Sequence, residues 1–474
     1  MSDERAPEIC VIGGGPGGIA LAVAAANQGL PVILIEKDEL GGANLREGGI
    51  PSKALLAAAG LYESLRRGPA VGVTGAPLQV NFGKVQDHLR SVAEALAPNV
   101  SSERLGALGV TVVRSEARFV DRRTVLAGEA TIRARTFVIA TGSVPAPPSY
   151  TGIETVEALD IAAALDVSGK PSHLIVLGAS PRGLELAQAY NRLGVDASVI
   201  DAEAALPGED PELVAPLLDR LRAEGIRVRD RAAVNGITRR KGGVRVTVTE
   251  NGEEIAVDGS HLLVVPGRLP NVAGLGLDAA GVDHAPSGIV VDRTLRTTNK
   301  RVYAIGDAVA GMASANRAEH HAALVLRSIA RRRHSGDAES AVPFVIFTDP
   351  QFARVGLSEE EARAKHRNLR ILRVPFAEND LSQAERTTAG LIKVIATDRG
   401  RILGAGVVGH GAGEIIALWS LAIASGLGID AIKTFPAPYP SRADISRRVA
   451  MAFDGYGRTP IRRTGLFSFL SRSG

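Results

Sequence analysis

At 474 residues the chain exceeds a usual single domain, and 45% hydrophobic content with 53 glycines fits a core-bearing α/β protein of roughly two to four domains. Its 55 Lys and Arg against 51 Asp and Glu leave a formal charge of +4, too slight and dispersed for a nucleic-acid partner. The single cysteine, Cys10, excludes an internal disulfide and a zinc site.

The start, Met1-Ser2-Asp3-Glu4-Arg5, is charged and runs directly into a strand, so no signal peptide is expected. That strand, Glu8-Ile9-Cys10-Val11-Ile12, makes Cys10 a small apolar core residue. Val11-Ile12-Gly13-Gly14-Gly15-Pro16-Gly17-Gly18 then carries G-x-G-x-x-G. An Ala-rich helix follows from Ile19 to Gln28, then a second buried strand, Val32-Ile33-Leu34-Ile35, ending at Glu36, eighteen residues past Gly18. Gly13 allows the tight turn, Gly15 the approach of a pyrophosphate, and Gly18 close helix–strand packing; Glu36 is placed to accept from ribose hydroxyls.

Next comes Gly41-Gly42-Ala43-Asn44-Leu45-Arg46-Glu47-Gly48-Gly49-Ile50-Pro51-Ser52-Lys53, with a helix expected from Lys53 to Ala59. Phe137-Val138-Ile139-Ala140-Thr141-Gly142 reads as a strand ending in a tight turn, and Val144-Pro145-Ala146-Pro147-Pro148 as a linker. A second nucleotide-binding unit then follows. Its strand is Leu174 to Leu177, its turn Gly178-Ala179-Ser180-Pro181-Arg182-Gly183, its helix Leu184 to Leu193, and its second strand ends at Asp201. Two such units imply two dinucleotide sites. Ser180 replaces the middle glycine and is expected to crowd the pyrophosphate without preventing binding. Asp201 favours NADH, because a carboxylate repels a 2′-phosphate; Arg182 and Arg192 keep NADPH as the alternative.

These motifs, with Ser115-Glu116-Ala117-Arg118-Phe119, Gly267-Arg268-Leu269-Pro270-Asn271, Tyr303-Ala304-Ile305-Gly306-Asp307 and the stretch from Phe344 to Glu359, resemble the pyridine nucleotide-disulfide oxidoreductases. That is the family of dihydrolipoamide dehydrogenase and mercuric reductase, and the resemblance runs from Glu8 to about Phe453. It implies an α/β fold with two Rossmann-like domains and a C-terminal α+β dimerisation domain. The implied boundaries are 1–148 with 286–338 for FAD, 149–285 for NAD(P) and 339–474 for the interface. A homodimer is implied too. Implied FAD residues are Gly13, Gly15, Gly18, Glu36, Lys53, Ala117, Thr141, Gly142, Asp307 and Ala315; those for NAD are Gly178, Ser180, Gly183, Asp201 and Gly267.

The family's redox cysteines fall at Asn44 and Gly49, and its C-terminal His and Glu at Tyr439 and Asp444. Lys53 and Glu185, whose equivalents pair beside the flavin N5, are kept. A Tyr, with its usual pKa of ~10, is a poor base at neutral pH, so nucleophile and base are lost together. The expectation is therefore an FAD-dependent NAD(P)H oxidoreductase with a small-molecule, non-disulfide acceptor, a quinone-like one favoured. Lipoamide, glutathione and mercuric reduction are not expected. A retired flavoprotein with a binding or regulatory role and a peroxide-forming NADH oxidase are the alternatives. Gly49 is expected to open a pocket where sulfur was, with Asn44 and the partner's Tyr439 hydrogen-bonding the acceptor.

Three remaining stretches carry less. Ile415 to Ile429 falls short of the ~18–20 apolar residues of a membrane span, so a cytoplasmic protein without a transmembrane segment is expected. His320-His321 lacks a third ligand, so no metal is expected; Arg331-Arg332-Arg333 reads as a solvated helix end. Past Phe453, Arg458, Arg462, Arg463 and Arg472 interleave with Ile461, Leu466, Phe467, Phe469 and Leu470, a mix that packs on its own dimer or lies on a membrane surface.

Overall fold

The computed structural model describes residues 3–46, 48–331 and 339–455. The basic-apolar tail and most of the Arg331–Arg333 run therefore lie outside the described residues. The first unit is a parallel sheet in the order Val302–Ala304, Thr136–Ile139, Ile9–Ile12, Val32–Glu36, Val110–Arg114. Its strands are near-continuous apolar runs because helices or loops cover both faces. Cys10 lies fully buried in the central strand, where burial pushes its thiol far up.

Helix α1 (Pro16–Ala26) leaves the first strand with Pro at its first turn, a position where the missing N–H costs nothing. A Cβ on Gly18 would stand 1.9 Å from the Gly13 carbonyl oxygen, so only glycine lets α1 pack there. After Glu36 the chain forms a short helix, α2 (Gly42–Arg46), and a long one, α3 (Gly49–Arg67). α3 begins four residues earlier than its apolar pattern suggested, because Gly49-Ile50-Pro51 supplies its first turn.

The chain crosses to the second unit along Ser143–Pro145 and returns along Arg268–Pro270, and these two segments pair antiparallel. Leu275, Leu277, Ala280 and Val282 pack in the first core, so we draw the return at this ribbon rather than at residue 285. The second parallel sheet runs Ala158–Leu159, His261–Val264, His173–Leu177, Asp196–Ile200, Arg227–Arg229, flanked by a three-stranded antiparallel layer over residues 233–259. Helix α4 (Pro181–Arg192) repeats the design of α1: a Cβ on Gly183 would stand 2.0 Å from the Gly178 oxygen. α5 (Pro211–Ala223) covers the same sheet, and α6 (Ala315–Arg331) packs on α1. The last unit is a five-stranded antiparallel sheet, Phe344–Ile346, Gln351–Gly356, Ile402–Gly409, Leu391–Thr397, Leu369–Pro375, carrying α7 (Ala412–Ala424) and α8 (Asp444–Gly455) around buried Trp419. Among the described residues no helix is long and apolar enough to cross a membrane.

A buried ion network holds the three units together. Arg192 of α4 pairs with Glu224 at 2.6 Å and with Asp349 of the last unit at 2.8 Å, while Arg220 of α5 bridges Glu224 to Glu63 of α3. Burial alone would raise the Asp349 carboxyl; His410 and Arg192 outweigh it and hold the group at about 2. Its folded value is thus depressed below the ~3.9 of an unfolded Asp, so its contribution is complete above pH ~5 and is lost as pH falls toward 2. Asp349→Asn should cost about 1–3 kcal/mol at pH 7, and the gap to wild type in chemical denaturation should close as pH falls from ~5 to ~2. A gap that stays constant over that range would assign the loss to packing instead.

Candidate active site

A cleft of about 490 Å³ runs along the C-terminal edge of the first sheet. Gly13, Gly15, Glu36, Ala117, Thr141, Gly142, Asp307 and Ala315 all line it, together with Asn44. Gly18 sits behind it in the helix packing. Glu36 already uses both oxygens, accepting from the Gly14 N–H at 2.6 Å and the Asp38 N–H at 2.8 Å. Asp307 accepts from the Ser143 hydroxyl at 2.8 Å, and Arg268 donates to the same hydroxyl from the return strand. This Arg268–Ser143–Asp307 chain was not anticipated from sequence; Ser143 follows the expected Thr141-Gly142 turn without a motif signal of its own.

The cleft suits a dinucleotide on three counts. The hydroxyl of Thr141 is buried with no hydrogen-bond partner, the space beyond the missing side chain of Gly15 is open, and the cleft meets the N-terminus of α1. In the second unit Asp201 repeats the role of Glu36, accepting from the Ala179 N–H at 2.7 Å and the Glu203 N–H at 3.0 Å. Ser180 caps α4, its hydroxyl accepting from the Gly183 N–H at 3.4 Å, so the oxygen is drawn into the helix turn. Gly178, Ser180, Gly183, Asp201 and Gly267 do not line the first cleft. Gly267 instead anchors the crossing strand, its carbonyl accepting from the Ala146 N–H at 2.8 Å.

Lys53 and Glu185 meet. Lys53 Nζ stands 2.6 Å from Glu185 Oε2, joining α3 to α4, and the carboxylate is almost fully buried. Glu185 Oε1 accepts from the Phe347 N–H at 2.8 Å, and the Lys53 ammonium lies 4.5 Å from the centroid of the Phe347 ring. Phe347 was missed at the sequence level because an aromatic before Thr348-Asp349-Pro350 has no distinguishing spacing.

One expectation needs correction. Gly49 opens no pocket: a Cβ there would stand 2.3 Å from Asn44 Oδ1 and 2.5 Å from the Asn44 carbonyl oxygen, so Asn44 occupies that room. Tyr439 and Asp444, at the family's His and Glu positions, make separate contacts. The Tyr439 hydroxyl donates to Asp380 at 2.8 Å and is 73% exposed in the single chain. Asp444 is buried and held by Arg447 and Arg448. Asp380 beside it raises the Tyr439 pKa, so this residue is a hydrogen-bond donor and not a base at neutral pH. Among the described residues no group of His, Cys, Asp and Glu could hold a metal; His321 is fully buried, accepting from the Gly306 N–H and facing Glu339.

Two nucleotide-type turns, a Lys–Glu pair between them and a third, antiparallel unit define a flavin-dependent nicotinamide oxidoreductase. Residues 7–322 match the family described as pyridine nucleotide-disulphide oxidoreductase, and residues 342–449 match its dimerisation domain. The chain is 34% identical over 462 residues to dihydrolipoyl dehydrogenase of Geobacillus stearothermophilus, covering 96% of this chain and 97% of that protein. It is 32% identical over 461 residues to mercuric reductase of Streptomyces lividans, covering 94% and 96%. The crystal structure of LpdA from Mycobacterium tuberculosis superposes with a TM-score of 0.85 at 26% identity, over 94% of this chain and 99% of that one. The flavoprotein disulfide reductase RclA from Escherichia coli, at 24% identity and TM-score 0.80 over 94% of this chain and 99% of that one, shares the fold.

The chain belongs to the pyridine nucleotide-disulfide oxidoreductase family. It is an FAD-dependent pyridine nucleotide oxidoreductase, its cofactors are FAD and NAD(H), and its dimerisation domain supports a homodimer. The same findings overturn the expected non-disulfide acceptor, and with it the retired-protein and oxidase alternatives. Dihydrolipoyl dehydrogenases among the relatives point toward disulfide reduction.

Gly49→Ala should strain the junction of α2 and α3, because the clash is with the Asn44 backbone as well as its amide. A loss of about 1–3 kcal/mol in unfolding free energy, with faster FAD release, is expected. Unchanged stability and FAD retention would mean that α2 moves freely away from α3.

Proposed function

We propose that the protein is an NAD(P)H-dependent disulfide reductase whose disulfide arrives with the substrate. The single observation that carries this reading is the Lys53–Glu185 pair, its carboxylate buried between α3 and α4, in a family named for disulfide chemistry. Positions 44 and 49 hold Asn and Gly, and Cys10 is buried in the first sheet, so the chain supplies no sulfur of its own. Bound FAD would accept hydride from the nicotinamide and pass two electrons on. The balance is one NAD(P)H, one disulfide and one proton giving NAD(P)+ and two thiols: the S–S bond breaks and each sulfur ends protonated.

The chain's residues divide this work. Gly13, Gly15 and Thr141 would hold the FAD phosphates and the adjoining chain, Glu36 the ribose, and Asp307 the ribityl region. Gly178, Gly183 and Asp201 would hold NADH, with NADPH as the alternative. Lys53, paired with Glu185, would stabilise negative charge on the reduced ring. Asn44 would offer an amide to the entering disulfide, and Tyr439 of the partner a protonated hydroxyl to a leaving sulfur. Mercuric ion is not a substrate in this reading, because soft-metal capture needs thiolates.

Anaerobic stopped-flow mixing with NADH should bleach the oxidised flavin, and Lys53→Met should slow that step by about 10²-fold or more. Steady-state NADH oxidation should then respond to members of a disulfide panel that includes lipoamide and oxidised glutathione. Rates at the no-acceptor level for every disulfide tested would sink the acceptor assignment.

A further inference from the structure

Of the cations that line the cleft, one stands without a partner among the described residues. Four cations line it: Lys37, Arg46, Arg182 and Arg268. Lys37 faces Glu116 at 4.0 Å and Arg46 faces Glu39 at 3.6 Å. Arg268 is engaged by Ser143, whose hydroxyl rests on Asp307. Arg182 has no hydrogen-bond or ion-pair partner among the described residues, yet it is only half exposed. A partly buried guanidinium without a counter-charge is costly, and such groups persist where a ligand supplies the negative charge.

Its placement identifies that ligand. Arg182 is the second residue of α4, and the only residue of the second nucleotide-binding unit that lines the first cleft. Less than one turn further along α4, Glu185 neutralises Lys53. The lysine that the family places beside the flavin therefore comes with a carboxylate partner, while Arg182 reaches the cleft without one.

We propose that Arg182 is a flavin-contacting cation that favours negative charge on the isoalloxazine and so raises its reduction potential. This rests on FAD binding and on nothing about the acceptor. Two measurements read it without NADH or a disulfide, so a failed turnover assay leaves it standing. The first is sulfite binding to the oxidised flavin, which places negative charge on the ring. The second is reductive titration against reference dyes.

Arg182→Leu holoprotein should bind sulfite about tenfold more weakly or worse, as loss of a unit charge a few ångströms from the ring implies, and its potential should fall. Arg182→Lys should keep both values near wild type. Arg182→Gln, polar but uncharged, should follow Leu, and serves if the Leu variant does not hold flavin. Wild-type sulfite affinity and potential in the uncharged variants would overturn the proposal. So would loss of FAD retention in both uncharged variants, which would assign Arg182 to the pyrophosphate instead.

Discussion

One contact, Lys53 to Glu185, draws all three units of this molecule to a single buried carboxylate. Lys53 lies one turn into α3 of the first unit, Glu185 in α4 of the second, and the second oxygen of Glu185 is held by the Phe347 N–H of the dimerisation unit. A nearly fully buried carboxylate is tolerable only because a cation and a backbone donor both satisfy it. Three folding units thus converge on one charged group. The consequence for function is positional: the two dinucleotide turns cannot shift relative to each other without exposing or orphaning that carboxylate.

The same helices carry a second tie some distance along. Gln188, one turn past Glu185, exchanges hydrogen bonds with the Asp349 backbone, and Arg192, one turn further, reaches the Asp349 side chain. α4 therefore presents Glu185, Gln188 and Arg192 on one stripe, the i, i+3, i+7 face of a helix. That stripe is polar but buried, the reverse of the usual pattern. Its contacts lie in the loop between the first two strands of the dimerisation unit, so α4 acts as the pin on which that unit turns toward the cleft.

The parts legible in the sequence were those whose physics is local. Gly13 and Gly18, like Gly178 and Gly183, are required by a turn and by a helix lying on a strand, and a short window of sequence contains all of that. The Lys53–Glu185 contact spans 132 positions and was reached only through resemblance, never through spacing. Phe347 and Asp349 were illegible because their partners lie on other units, and Asp380 because Tyr439 lies 59 positions away. The interior of the Asn44–Gly49 segment was misread for a different reason. Removing a side chain was equated with leaving a hole, whereas a short helix lets the backbone at Asn44 close over Gly49.

That closure bears directly on how a disulfide would be handled. A side chain at position 49 would have to displace the Asn44 main chain, so the segment has settled into a shape that two facing cysteines could not simply re-enter. What it offers in their place is an amide carbonyl and amino group at the cleft wall, able to donate and accept but not to exchange sulfur. On the proposed reading, a scaffold that keeps the hydride-receiving side of its chemistry and lacks the covalent relay takes its sulfur from outside, and the structural requirement passes from the spacing of two cysteines to the room the cleft leaves beside Asn44.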